Sequence, residues 1–189
     1  MKGIMRIISG RFRGRRLKGP RGAALRPTGD RLKETLFNIL GTRVSGAIVL
    51  DVFAGTGAIG LEAISRGAQE AVFIEASQEG AQLIRQNADL CGVTSGYRIL
   101  HGDAFTSFRA LAREGFRADI TFLDPPYQWG PYCDLLETLF RVGISMPESQ
   151  VVVEHHRRAE LPESGLGFRR VRTVHQSDKC LSFYQRTEC

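Results

Sequence analysis

The chain has 189 residues, 42% hydrophobic and 24% charged, which suits one soluble globular domain with at most a small appendage. It has no apolar run near the ~18 residues of a membrane span, and the start MKGIMRIISGRFRG has no apolar stretch of the secretory kind. The net charge of +6 is uneven: residues 1–33 hold eleven Lys/Arg against one acid, a net of +10, and the remainder fifteen against nineteen, a net of −4. Such a cluster is either a solvated arm or a surface that contacts a phosphate backbone through counterion release.

Residues 4–9 (IMRIIS) and 11–18 (RFRGRRLK) predict two short strands around Gly10, a basic hairpin. GPRGAALRPTG reads as a loop. Asp30 is the expected N-cap of a helix over 31–41, with Leu32, Leu36, Phe37 and Leu40 on one face and Gly41 at its end. From residue 47 strands alternate with helices: strands near 48–53, 71–76, 97–101, 118–123 and 150–154, helices over 58–66, 79–91, 104–114 and 132–142. This order implies right-handed crossovers and a parallel, doubly wound α/β sheet. FRRVRTV and CLSFYQR around HQSDK read as a closing antiparallel hairpin, for seven strands in all. Cys91, Cys133, Cys180 and Cys189 show neither C-x-x-C nor a His at metal-ligand spacing, so free thiols, no metal and a cytoplasmic location are expected.

The stretch VLDVFAGTGAIGLEA contains Gly55, Gly57 and Gly60 in the G-x-G-x-x-G pattern of dinucleotide sites. A strand feeding such a turn and then a helix places backbone N–H groups at the carboxyl edge of the sheet. Glu75 follows Gly55 by twenty residues, at the end of the next strand, where a carboxylate accepts from ribose hydroxyls. NAD and S-adenosylmethionine both satisfy this much. Asp51 favours the second. A fixed carboxylate beside a pyrophosphate is repulsive, at ~4 kcal/mol for unit charges 4 Å apart with a dielectric near 20, but it suits the ammonium and sulfonium of S-adenosylmethionine. Its other role is a cap on the following turn. Asp103, after the third strand, is placed to accept from the adenine amino group, or else serves a strand-exit turn.

FLDPPYQW ends the fourth strand with Asp124, Pro125, Pro126 and Tyr127. The prolines fix the backbone as the strand leaves the sheet, so that the Pro125 carbonyl and the Asp124 carboxylate form an acceptor pair for a planar amino group. Tyr127 offers a ring for stacking a base. An exocyclic amine is a poor nucleophile, and two hydrogen bonds to its N–H groups align it and favour pyramidalisation as the new bond forms.

D-P-P-Y after such a loop resembles the amino-methyltransferases that act on exocyclic or amide nitrogens. With MRIISGRFRGRRL, RPTGDRLKETLFNIL and VLDVFAGTGAIGLEAISRGA, nearly the whole chain resembles the bacterial 16S rRNA guanine-N2 methyltransferases that modify guanine 966. The resemblance implies a class I methyltransferase fold, residues 1–41 as a basic RNA-binding extension, and 42–189 as the methyltransferase domain. It implies Asp51, Gly55, Gly57, Glu75 and Asp103 around S-adenosylmethionine, with Phe53 and Ala104 added as their neighbours. Asp124, Pro125 and Tyr127 then surround the target guanine of 16S rRNA or of the assembling small subunit, without metal; nothing in the sequence demands a dimer or a membrane, and a monomer is expected. Gly29 stands where that family usually has Thr or Ser, so any side-chain role at 29 is lost, and the tail HQSDKCLSFYQ departs from its Tyr-Gly hairpin. D-P-P-Y alone leaves adenine N6 or a protein glutamine open as acceptors. An NAD-dependent oxidoreductase is disfavoured by Asp51 and D-P-P-Y, and a non-catalytic RNA-binding module by the intact motifs.

Overall fold

The computed structural model describes residues 5–20, 28–126 and 130–187. In chain order its elements are α1 (Thr28–Leu40), a 3₁₀ turn (Gly41–Val44), β1 (Ile48–Val52), α2 (Ala58–Ser65), β2 (Glu70–Glu75), α3 (Gln78–Cys91) and β3 (Tyr97–His101). There follow α4 (Ala104–Arg113), β4 (Ala118–Leu123), α5 (Tyr132–Arg141), β5 (Ser145–His156), β6 (Ser164–Gly165), β7 (Phe168–Gln176) and β8 (Lys179–Arg186). All strands join one sheet in the order β3-β2-β1-β4-β5-β8-β7-β6. β1 to β5 are parallel; β8, β7 and β6 close the sheet antiparallel. The expected doubly wound sheet with an antiparallel end is present, with eight strands rather than seven. The two-residue β6, too short for any periodicity, adds to the edge of β7.

The alternation of the parallel strands explains the two layers. Leu50, Val52, Val72, Ile74, Val151 and Val153 pack with Phe108, Leu111, Leu135 and Leu139 of α4 and α5. Val49, Ile120, Phe122 and Val152 pack on the other face with Leu32, Leu36, Phe37 and Leu40 of α1. Phe73 and Ala71 pack with Leu61 and Ile64 of α2 and Ile84 and Ala88 of α3. No helix among the described residues is long and apolar enough to cross a membrane.

Three expectations need correcting. α1 begins at Thr28, so Asp30 lies in its first turn instead of capping it; a carboxylate there still meets the positive end of the helix dipole. β5 starts at Ser145, not 150, because the Ser149 hydroxyl accepts from Met146 N (2.8 Å) and donates to Ala118 O (2.6 Å) across an irregular register. The two basic strands are shorter than expected: they pair antiparallel around the Arg6–Arg16 bridge, with Ile7 N donating to Arg15 O, Gly14 N to Ile7 O and Leu17 N to Met5 O (2.9 Å each). Between the paired ends four N–H groups turn to α2: Ile8 and Ser9 donate to the Glu62 carboxylate (2.7 and 3.0 Å), Arg11 to Ser65 O (2.7 Å) and Phe12 to Ser65 Oγ (2.9 Å). Gly10 lies against α2 at φ +83°, where a Cβ would stand 1.9 Å from Ser65 O. Glu62, with no exposed surface, also pairs with Arg66 (2.8 Å) and Lys33 (3.4 Å), and Lys33 Nζ donates to Arg6 O (2.6 Å). At the far end Lys18 N donates to Asn87 Oδ1 (2.7 Å), while Asn87 Nδ2 donates to Lys18 O (3.0 Å) and Thr56 O (2.9 Å). The basic arm is thereby fixed against α2 and α3.

Candidate active site

A cavity of ≈ 410 Å³ lies at the carboxyl edge of β1, β4 and β5, roofed by α1. It is lined by four of the expected residues, Asp51, Phe53, Gly55 and Asp124. Met5, Asp30, Lys33, Glu154, Lys179 and Leu181 also line it.

The glycine loop owes its path to three constraints. Phe53 leaves β1 at φ +62°, a conformation costly for a bulky residue, and Gly55 and Gly57 follow at φ +54° and +73°. A Cβ on Gly60 would lie 2.3 Å from the Phe73 ring, so only glycine lets α2 approach β2 this closely. Two carboxylates then occupy the loop's donors: Gly60 N donates to Asp51 Oδ2 (2.9 Å) and Gly55 N to Glu75 Oε2 (2.8 Å). A pyrophosphate would meet two acids where a dinucleotide site offers free N–H groups.

Asp51 is 2% exposed. Burial pushes its pKa up to about 7; the Gly60 bond opposes the shift and Glu75 adds to it. The turn-cap role therefore holds for one carboxylate oxygen, while the group also lines the cavity. Among the described residues no cation is ion-paired to Asp51.

Glu75, Asp103, Ala104 and Gly57 lie outside the cavity lining. Glu75 is tied to it through Gly55, and its Oε1 accepts from Ser77 N and Oγ (2.8 Å each). Asp103 N-caps α4, accepting from Thr106 N (3.0 Å), a bond that lowers its pKa. Ala104 is the buried first residue of that helix.

Asp124 follows β4, with its N–H donating to Val52 O (3.3 Å), and its side chain opens on the cavity. Its pKa stands well above the usual carboxylate range because of burial first and the charge of Glu154 second, with Lys179 opposing. Asp124 keeps an exposed surface that borders the cavity, while the protein packed around its carboxyl supplies the desolvation. Pro125 is buried and Pro126 exposed. Tyr127 lies outside the described residues.

The family described as Conserved hypothetical protein 95 matches residues 5–185. The chain belongs to this family. It is 40% identical over 161 residues to Ribosomal RNA small subunit methyltransferase D of Escherichia coli (strain K12), covering 85% of this chain and 79% of that protein. It is 36% identical over 162 residues to YlbH of Bacillus subtilis (strain 168), covering 85% of this chain and 87% of that one. The solved structure of yhhF from Escherichia coli matches with a TM-score of 0.84 at 35% identity, over 97% of this chain and 98% of that chain. As a member of the Conserved hypothetical protein 95 family, the chain has the class I methyltransferase fold that its motifs predicted.

The cavity residues that sequence reasoning missed carried faint signals. Lys33 sits beside Leu32 and three residues before Leu36 on a helix with a clear apolar face. Glu154 ends the apolar run VVV as Glu75 ends AVFI, an acid at the carboxyl edge in both cases.

Proposed function

We propose that the chain transfers a methyl group from S-adenosylmethionine to the exocyclic N2 of a guanine in small-subunit rRNA, guanine 966 of 16S rRNA by the family resemblance. The observation that carries this reading is one cavity lined by two acids of different duty: Asp51, buried without a described cation, and Asp124, at the mouth of the D-P-P turn. A buried carboxylate of this kind fits a cationic ligand. When bound, S-adenosylmethionine supplies an electrophilic methyl whose C–S bond breaks as the C–N bond forms.

Asp51 faces the positive groups of the cofactor. Glu75 retains one acceptor site, on Oε2, for a ribose hydroxyl beyond those used by Gly55 and Ser77, and Asp103 keeps Oδ2 for the adenine amine. Phe53 and Ala104 bound the nucleoside, and Gly55 and Gly57 permit close backbone approach. Asp124 and the Pro125 carbonyl hold the two N–H groups of the target amine, and Tyr127 stacks on its base. The nitrogen becomes cationic as it gains the methyl and must lose a proton. Asp124, with its raised pKa, is placed to take it.

The base has to leave its stack, which is cheapest in a single-stranded loop. Arg11, Arg13, Arg15 and Arg16 are exposed on the arm, and we assign them to the flanking phosphates. In this reading residues 1–41 serve RNA binding and 42–189 the chemistry. The protein works as a cytoplasmic monomer without metal or membrane. The test is label transfer: small subunits from a strain lacking the methylation are incubated with methyl-labelled S-adenosylmethionine, then separated into RNA and protein. Label in the rRNA is the expected result; label in protein alone would place the acceptor on a glutamine.

A further inference from the structure

Lys179, Glu154 and Asp124 occupy one edge of the cavity, in the spatial order of their strands β8, β5 and β4. Leu123 pairs with Val153, so Asp124 and Glu154 are the next residues on adjacent parallel strands, ~4.8 Å apart in the ladder direction. Lys179 opens the antiparallel β8, two residues from the partner of Glu154, Leu181. Its Nζ donates to Glu154 Oε1. Glu154 is 8% exposed, and what it shows faces the cavity. One ammonium N–H is thus used, leaving Lys179 two donors, and Oε2 of Glu154 is left to accept.

We infer that this row reads the base, with Lys179 and Glu154 as specificity-determining residues that select guanine. The inference rests on the reading of the site given above. Across the row the groups are donor, acceptor, acceptor. The Watson–Crick edge of guanine presents O6, N1–H and the N2 amine, which are acceptor, donor, donor in the same order. With N2 held at Asp124, N1–H meets Glu154 and O6 meets Lys179. Adenine with N6 at Asp124 would turn the N1 lone pair toward the Glu154 carboxylate, leaving two acceptors face to face in a cleft where neither can be hydrated. A site built on hydrogen bonds rejects an analogue that leaves its buried groups unpaired far more strongly than an apolar pocket rejects a change of size.

The test replaces the target guanosine, once mapped, with 2,6-diaminopurine riboside in a synthetic segment ligated into the rRNA of reconstituted small subunits. This base keeps the N2 amine but carries an amine in place of O6 and a lone pair in place of N1–H. The unaltered protein should methylate it with kcat/KM lower by ~100-fold or more than guanine. Glu154→Gln and Lys179→Met should each slow the guanine reaction by ~10-fold or more and narrow the ratio between the two bases by at least the same factor. Their S-adenosylmethionine affinity should match wild type and report intact folding. The base comparison uses the unaltered chain, so it stands even if a variant fails to fold. Equal rates on both bases, within threefold, would overturn the inference and leave guanine methylation intact, as would variants that keep the wild-type ratio. A wild-type protein that methylates no guanine in rRNA would overturn both.

Discussion

Asp51 has a pKa near neutrality in a site that calls for a cation, and this makes binding depend on pH. Only the ionised form attracts the ammonium and sulfonium, so affinity for S-adenosylmethionine should fall as pH drops through about 7, by ~10-fold between pH 8 and pH 6. Calorimetry at both pH values checks this, and Asp51→Asn should bind weakly with no such slope. The same shift has a stability consequence. The folded-state pKa is raised, so the contribution of Asp51 is fully present below its unfolded value of 3.8 and is lost as pH rises through about 7. Glu75→Ala removes the acceptor assigned to the ribose and should weaken cofactor binding by about 1.5–3 kcal/mol. Asp124→Ala should lose most methyl transfer while still binding the cofactor, because Asp124 meets the acceptor amine and not the nucleoside; activity within threefold of wild type would remove that role.

The elements hold the arm through buried polar contacts. Glu62 receives two N–H groups of the arm and two cations, so Glu62→Ala leaves the Lys33 charge buried without its carboxylate and should cost ~3–5 kcal/mol of unfolding free energy in urea titration. Gly10→Ala should leave the sheet intact but expose the arm to limited proteolysis, since its Cβ would overlap Ser65 O. These contacts mark where sequence reading stopped. The strands of the parallel half were legible because alternation and the Gly and Pro punctuation are local. Asp51, Gly55 and Asp124 were legible because a strand end fixes where a residue points. Glu62, Lys33 and Asn87 were not, since their partners on the arm lie 27 to 69 residues away; the polar letters in a helix show burial only once the arm is laid over them. The pairing of Glu154 with Lys179, 25 residues apart, depends on the register of β5 against β8, two strands separated in the chain by β6 and β7. The hairpin predicted for the arm is present but short: residues 5–7 and 14–17 pair, while Ile8, Ser9, Arg11 and Phe12 between them give their N–H groups to α2.

At the scale of the whole molecule the charge is segregated, +10 in residues 1–33 against −4 elsewhere, and the arm carrying it also borders the cavity through Met5. Asn87 joins the arm backbone at Lys18 to the glycine loop at Thr56, so loss of the arm's fold should disturb the cofactor site. Replacing only the exposed side chains of Arg11, Arg13, Arg15 and Arg16 should not. The quadruple variant should bind RNA more weakly with a log–log salt slope reduced by ~0.7–0.9 for each lost phosphate contact, at unchanged cofactor affinity; an unchanged slope would mean that the arm only keeps the protein soluble. The chemistry itself is read most directly from the nucleoside. rRNA from small subunits methylated by this protein in vitro is digested to nucleosides and the labelled species identified by mass spectrometry, with the position mapped on the intact RNA. Label confined to N2-methylguanosine at a single position is the predicted result; label in N6-methyladenosine, or none in the RNA, would contradict the account.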